Sequence, residues 1–455
     1  MAVCARALST SLRLGSNSLA RNLNSGLRGQ RIIPGNLRQF SVLASRTKLN
    51  VEARQTLTTL SSPRHYSVAA TKAVVKDRDE SLVLKLTDGS SIEFSYVWLR
   101  DCCLCPLCHE PSAKSRLVRM QDLPVDCRPS DVKIEASTVT ITWDDGHVSP
   151  YPIEWLVERG FSPKNLQNRT KIWPLAAQPW GRDLLDDLPK DSFQNLMEDD
   201  RALFNWICKM EKYGFFVITD APCETGSVKK FSERIAFLRL TNYGQTFTVK
   251  AKIDPSNAAY TSAALGLHVD LPYYYYTPGI QMLHCISQVP TKGGENQFAD
   301  GFFAAEIVKK LRPDYYQTLC TSLVDFYDIG TDYYKFHKFA RRPVIQFDTM
   351  GNMTQVNYNN QVRDYFSYLP AKEMTALLKA MKFYDDIMYQ PDNHIEIKLK
   401  DGEIACFHNY RIMHGREGFE VLGTGGERHY EGGYLDWDEV HSRRRVLQEE
   451  LNMFN

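Results

Sequence analysis

A histidine and an aspartate two positions apart, His268 and Asp270, with His414 far down the chain, constrain the fold of this sequence more than any other feature. On an extended backbone residues two apart point to the same side, so the first two side chains stand together. The second imidazole reaches them if its own segment, Arg411-Ile412-Met413-His414-Gly415-Arg416, arrives as a distant strand. Two imidazoles and one carboxylate placed in this way occupy one face of an octahedral ion and leave the opposite face open.

That ligand set is the triad of non-haem Fe(II) oxygenases. A bare His-x-Asp pair recurs by chance in many chains, so the surroundings carry the reading. Asn409, Tyr410 and Arg411 precede His414, and Arg428 follows it after about one strand, a turn and part of the next strand. Such an arginine can hold a carboxylate in a two-pronged, charge-assisted bond.

Ser81 to Ile92 alternates apolar and polar residues around Asp88-Gly89 and predicts a hairpin. Val132 to Trp143 repeats the pattern, so residues 77–165 are expected to form a small β domain, with a proline-bearing linker at 166–190. Residues 191–455 then make the catalytic domain. Phe193 to Met210, Phe231 to Leu240, Ala304 to Leu311 and Ala371 to Tyr389 predict helices. Tyr213 to Ile218, Ile280 to Ile286, Val344 to Phe347, Ile395 to Leu399 and Ile404 to Phe407 predict strands. Short strands buttressed by helices fit a mainly β barrel with α decoration better than a parallel sheet.

With 55 basic against 54 acidic residues, nothing in the charge balance points to nucleic acid or an anionic membrane surface. No apolar stretch approaches the roughly 20 residues of a membrane-spanning helix. Before the first acidic residue, Glu52, come Arg6, Arg13, Arg21, Arg28, Arg31, Arg38 and Arg46 among Ser, Leu, Ala and Asn. This composition predicts a mitochondrial transit peptide over 1–66 and a matrix enzyme; the competing reading is a disordered basic tail on a cytoplasmic protein. The 11 cysteines then sit in a reducing compartment, as metal ligands and free thiols rather than disulfides.

Four of them crowd into Cys102-Cys103-Leu104-Cys105-Pro106-Leu107-Cys108, and thiolates so spaced on a turn can wrap a Zn²⁺, which in a structural site takes four ligands. Unliganded thiols, or an iron–sulfur site that includes Cys102, are the alternatives. Tyrosine is dense around the triad: Tyr243, Tyr260, Tyr273 to Tyr276, and Tyr434. A quaternary ammonium has no hydrogen to donate, so ring faces must recognise it. Successive side chains cannot all face one pocket, and core packing is the expected fate of at least half of Tyr273 to Tyr276.

Several dispersed blocks resemble the Fe(II)- and 2-oxoglutarate-dependent oxygenases of carnitine biosynthesis, gamma-butyrobetaine dioxygenase and its sister trimethyllysine dioxygenase. These are Trp98-Leu99-Arg100-Asp101, Thr142-Trp143-Asp144-Asp145-Gly146-His147, His268-Val269-Asp270, Pro278-Gly279-Ile280-Gln281-Met282-Leu283-His284-Cys285, Asp300-Gly301-Phe302, Asn359-Asn360 with Arg363-Asp364, and Glu427-Arg428-His429-Tyr430-Glu431-Gly432-Gly433-Tyr434. The resemblance runs from about Phe94 to the C-terminus. It implies a double-stranded β-helix, or jelly-roll, whose mouth holds the iron. It implies that Arg428, Asn257 and Leu283 bind 2-oxoglutarate, and that Cys103, Cys105, Cys108 and His147 hold a structural zinc, leaving Cys102 spare. Chelation is then expected to unfold the N-terminal domain before it touches catalysis.

By the same resemblance Tyr243, Phe247, Tyr260 and Tyr434 contact the trimethylammonium substrate and Asn359 its carboxylate. Ascorbate serves as reductant and the enzyme is a homodimer. Two departures stand out. Phe247 replaces a tryptophan common in the cage, and phenylalanine is the poorer cation–π partner. His408 replaces an aspartate before Asn409 and is expected to alter the support of His414. The implied reaction is C3 hydroxylation of gamma-butyrobetaine, coupled to O₂ consumption and conversion of 2-oxoglutarate to succinate and CO₂. The competing readings are trimethyllysine hydroxylation, a non-catalytic metal-binding scaffold, and a zinc hydrolase at the triad; the last accounts for neither Arg428 nor the ring-rich pocket.

Overall fold

Strands Phe215–Thr219 and Ile404–His408 are apolar at nearly every position because both of their faces are buried. The computed structural model describes residues 69–250, 263–290, 292–419 and 428–453; the leader 1–66, Asn257 and Tyr260 lie outside the described residues. A six-stranded sheet runs in the order Thr246–Val249, His429–Leu435, Ile280–Ser287, Ile404–His408, Phe215–Thr219, Lys190–Ser192. A four-stranded sheet runs Leu265–His268, Ile412–Arg416, Asn296–Asp300, His394–Ile397. Apart from the terminal Lys190–Ser192 strand, which joins in parallel, every pairing is antiparallel.

Period-two alternation divides the large sheet into two cores. Phe215, Val217, Leu283, Cys285, Ala405 and Phe407 point inward and meet Phe298, Ile395 and Ile412 of the small sheet. Phe298 stands between Phe215 and Phe407, with ring centroids 4.6 and 5.4 Å away. Phe216, Ile218, Met282, Ile404 and Cys406 point outward and pack under helices Asp200–Tyr213 and Trp437–Glu450. This is the sandwiched jelly-roll arrangement that the resemblance implies.

The chain reaches the large sheet from helix Asp200–Tyr213 through Gly214, whose φ of +68° closes the helix in a left-handed turn. One buried ion pair ties the layers together. Arg411 Nη2 lies 2.6 Å from Asp300 Oδ2, and Arg411 also donates to the carbonyls of Lys212 and Gln178. Asp300 caps helix Gly301–Leu311 by accepting from the Phe302 and Phe303 N–H groups. Arg411 leads directly into the strand that carries His414, so this pair fixes where that strand starts.

Ahead of the barrel, two three-stranded antiparallel sheets share one core that includes Leu84, Phe94, Leu99, Val139, Trp143 and Tyr151. The predicted hairpins fold as Ser81–Leu86 with Ser91–Ser95 and Pro129–Glu135 with Thr138–Trp143. Each gains a further strand, Ala70–Lys76 and Val148–Pro152. Ala70–Lys76 therefore puts β structure before residue 77, and helix Pro163–Thr170 overlaps the predicted linker.

The expected helix Phe193 to Met210 is two helices, because Asp199 takes an extended conformation and caps the second by accepting from the Arg201 N–H. Phe231 to Leu240 is not helical beyond its first residues; the helix there is Ser227–Ser232. The long hairpin Leu323–Thr331 with Lys335–Pro343 and helix Pro313–Thr321 have no counterpart in the sequence reading. No helix among the described residues is long and apolar enough to cross a membrane.

Candidate active site

The histidines of the triad face each other across the ladder: in the antiparallel pair Leu265–His268 and Ile412–Arg416, His268 is the register partner of His414. Their rings lie 4.2 Å apart, centroid to centroid. The strand ends at His268, and the chain turns at Leu271, whose φ is +57°. Asn409 holds this turn: its side-chain oxygen accepts from the Asp270 N–H at 2.8 Å and its amide donates to the Asp270 and Pro278 carbonyls.

Asp270 Oδ1 consequently sits 3.3 Å from His268 Nε2 and 3.8 Å from His414 Nε2. Neighbouring ligands on an octahedral ion at about 2.1 Å lie about 3.0 Å apart, so small side-chain movements close the three onto one ion. The other carboxylate oxygen, Oδ2, accepts from the Tyr434 hydroxyl at 2.7 Å. His268 Nδ1 lies 2.8 Å from the Gly266 carbonyl, which can only accept, so Nδ1 carries a proton and Nε2 is the nitrogen left to bind an ion. Burial, and then the neighbouring His268, push the His414 imidazole down to about 3.

Burial alone would raise the Asp270 carboxyl, but its contacts with His268, His414 and the Tyr434 hydroxyl outweigh it and hold it well below the usual carboxylate range. Two imidazole nitrogens and a carboxylate oxygen that all lie within 4.8 Å of one another make a donor set suited to a divalent cation.

Two lobes of a cleft meet at His268 and Asp270. The first, of about 490 Å³, is lined by Leu283, Gln281, Asn296, Arg416 and Arg428. Arg428 is 6% exposed, forms no ion pair with a carboxylate among the described residues, and stacks its guanidinium 3.9 Å from the centroid of Tyr430. Burial and the charge of Arg428 push the Arg416 guanidinium down to about 10. The buried Arg428 guanidinium at the end of a small cavity suits an anion.

The second lobe, of about 570 Å³, is lined by Tyr243, Phe247, Tyr273, Asn359 and Tyr434. Phe247 lies 6.0 Å from Tyr243 and 5.3 Å from Tyr434, centroid to centroid. The register partner of Phe247 is Gly432, where a Cβ would come within 2.2 Å of the Phe247 ring, so the wall needs glycine there. Tyr273 and Tyr274 are buried in the core, whereas Tyr275 and Tyr276 are 81% and 72% exposed.

Asn359 lines this lobe, but its amide already donates to the Val269 carbonyl and its oxygen accepts from the Gln361 and Val362 N–H groups. The expected influence of His408 on His414 is corrected. His408 turns to the opposite face, where its Nδ1 accepts from Tyr410 N–H and Trp437 Nε1–H, and the ring packed on His414 is that of Phe407, at 4.7 Å.

A second cluster lies in the N-terminal region. Helix Tyr96–Asp101 delivers the cysteine loop, and a turn with Gly146 at φ +79° delivers His147. His147 Nε2 lies 3.3, 3.6 and 3.5 Å from the sulfurs of Cys103, Cys105 and Cys108. Ligands at 2.0–2.3 Å on a tetrahedral ion are separated by about 3.6 Å. Cys102 turns away toward Asp101 and Arg116. All ten cysteines among the described residues are free.

Reasoning from sequence missed Gln281, Asn296 and Arg416 as lining residues and Tyr430 as the support of Arg428. The signal was present for two of them: Gln281 is two residues from Leu283 and Arg416 two from His414, hence on the same strand faces.

Residues 174–434 match the family described as taurine catabolism dioxygenase TauD, TfdA, and residues 73–157 match the gamma-butyrobetaine hydroxylase-like N-terminal family. The chain is 36% identical over 385 residues to gamma-butyrobetaine dioxygenase of Homo sapiens, covering 84% of this chain and 98% of that protein. It is 32% identical to gamma-butyrobetaine dioxygenase of Pseudomonas sp. (strain AK-1), covering 79% and 92%. Identity to the mitochondrial trimethyllysine dioxygenase of Rattus norvegicus is 28%, covering 80% and 85%.

Proposed function

Since the chain belongs to the TauD, TfdA family of dioxygenases and to its gamma-butyrobetaine dioxygenase branch, we propose that it hydroxylates gamma-butyrobetaine at C3 to L-carnitine. His268, Asp270 and His414 would hold Fe(II), and Arg428, with Leu283 beside it, would hold 2-oxoglutarate by its far carboxylate. When bound, iron and the keto acid supply the oxidising power, as O₂ is reduced and 2-oxoglutarate leaves as succinate and CO₂. The side chains supply orientation. Tyr243, Phe247 and Tyr434 offer ring faces to the trimethylammonium group, and their closeness to His268 and Asp270 sets which carbon lies over the metal.

The observation that carries this reading is the aromatic lobe opening directly onto the triad. Its lining also bears on the rival substrate. Trimethyllysine brings an additional α-ammonium group, and the one carboxylate among the described lining residues is Asp270, already engaged by the triad and Tyr434. The test is a comparison of the two substrates on the purified, iron-loaded protein. Gamma-butyrobetaine is expected to drive succinate release and carnitine formation with kcat/KM at least about tenfold higher, a difference of about 1.4 kcal/mol. The reverse order would reassign the enzyme to trimethyllysine.

The same proposal includes a structural zinc on Cys103, Cys105, Cys108 and His147, supported by their spacing and by a full tetrahedral set that leaves no position open for chemistry. It includes a mitochondrial address, supported by seven arginines and no acidic residue before Glu52. Ascorbate as reductant and a homodimeric assembly rest on the family resemblance alone.

A further inference from the structure

Strand His429–Leu435 turns Tyr430, Gly432 and Tyr434 toward the interior in succession. Tyr430 lies under Arg428, Gly432 leaves room for Phe247, and Tyr434 reaches the triad. Antiparallel pairing fixes the strand against Ile280–Ser287, with Tyr434 opposite Gln281, and Tyr434 is 1% exposed. Its position is therefore set by the sheet rather than by whatever fills the cleft. The ring of this side chain stands 5.3 Å from Phe247 in the substrate lobe, while its hydroxyl lies 2.7 Å from Asp270 Oδ2.

We propose that Tyr434 is the positioning residue of the metal-binding carboxylate: its hydroxyl occupies one oxygen of Asp270 so that the other is presented to the ion, while its ring walls the substrate lobe. The inference rests on the reading of His268, Asp270 and His414 as the iron-binding set. An aspartate on a turn can rotate about its side-chain torsions and offer either oxygen or both. A donor on Oδ2 removes that freedom, leaving Oδ1, the oxygen 3.3 Å from His268 Nε2 and 3.8 Å from His414 Nε2. The substrate wall and the donor that holds the iron-binding carboxylate are thus parts of one rigid side chain, and a cation pressed on the ring leans on the group that orients Asp270.

Tyr434→Phe removes the hydroxyl and keeps the ring. Anaerobic titration of the full-length protein with Mn(II), which thiolates hold poorly, reads the affinity of the triad directly. The variant is expected to bind Mn(II) about 10–100-fold more weakly, the usual cost of losing an outer partner of a metal ligand, while KM for gamma-butyrobetaine stays within threefold. Tyr434→Leu, which loses ring and hydroxyl together, is expected to weaken both. Mn(II) affinity within twofold of wild type in Tyr434→Phe would overturn the proposal, as would a rise in KM with no change in metal affinity. Asp270→Ala, run in parallel, separates the two claims: if that variant still binds Mn(II) as wild type does, the iron-site reading itself fails.

Discussion

Replacing His414 with alanine is expected to lower kcat by more than about a hundredfold in a protein that keeps its fold. Removing even an outer partner of a metal ligand costs about 10–100-fold, and His414 is proposed as one of the ligands themselves. The strand that carries it stays anchored by the buried Arg411–Asp300 pair and by its ladder with Asn296–Asp300. The loss therefore falls on the ion rather than on the barrel. Substrate-dependent succinate release, read beside the thermal unfolding midpoint, checks this. A folded His414→Ala protein with more than a tenth of wild-type turnover would contradict it.

Arg428→Leu is expected to raise KM for 2-oxoglutarate roughly a hundred- to ten-thousandfold. A two-pronged guanidinium–carboxylate contact contributes two charge-assisted hydrogen bonds of about 1.5–3 kcal/mol each, and every 1.4 kcal/mol is about a factor of ten. The guanidinium is held flat on Tyr430, whose hydroxyl accepts from Gln288 at 2.8 Å, so little ordering is left to do when the keto acid arrives. Arg428→Lys keeps the charge but loses the fork and should fall between the two. Initial rates at saturating substrate over a range of 2-oxoglutarate concentrations measure the effect; a KM within threefold of wild type in Arg428→Leu would remove Arg428 from its role.

The triad was legible in the sequence because its logic is local on one side and simple on the other. His268 and Asp270 share a face by period, and His414 needs only a neighbouring strand. The core strands were legible too, since Phe215 to Ile218 is apolar at every position, as a strand buried on both faces must be. What escaped depends on register between segments far apart in sequence. Nothing in the local pattern says that Gly432 lies opposite Phe247 or that Tyr434 reaches Asp270; both follow from cross-strand pairing.

His408 illustrates the same limit at a single position. Its neighbour Phe407 faces His414, and alternation along the strand sends His408 to the outer face beside Trp437. The Asp199 break escaped because the apolar spacing continues across it, while the side chain that starts the new helix is a short polar cap. The hairpin Leu323–Pro343 mixes exposed and buried positions along both strands, so its period is weak.

The central claim is that two imidazoles and one carboxylate share a single iron beside a buried arginine. Anomalous scattering on either side of the iron absorption edge, from crystals grown anaerobically with Fe(II) and 2-oxoglutarate, tests it most directly. An iron peak is expected about 2.0–2.2 Å from His268 Nε2, Asp270 Oδ1 and His414 Nε2, the range of first-row ions with such ligands, with no iron signal at the Cys103, Cys105, Cys108 and His147 cluster. An iron peak at that cluster, or none among the three triad side chains, would contradict it.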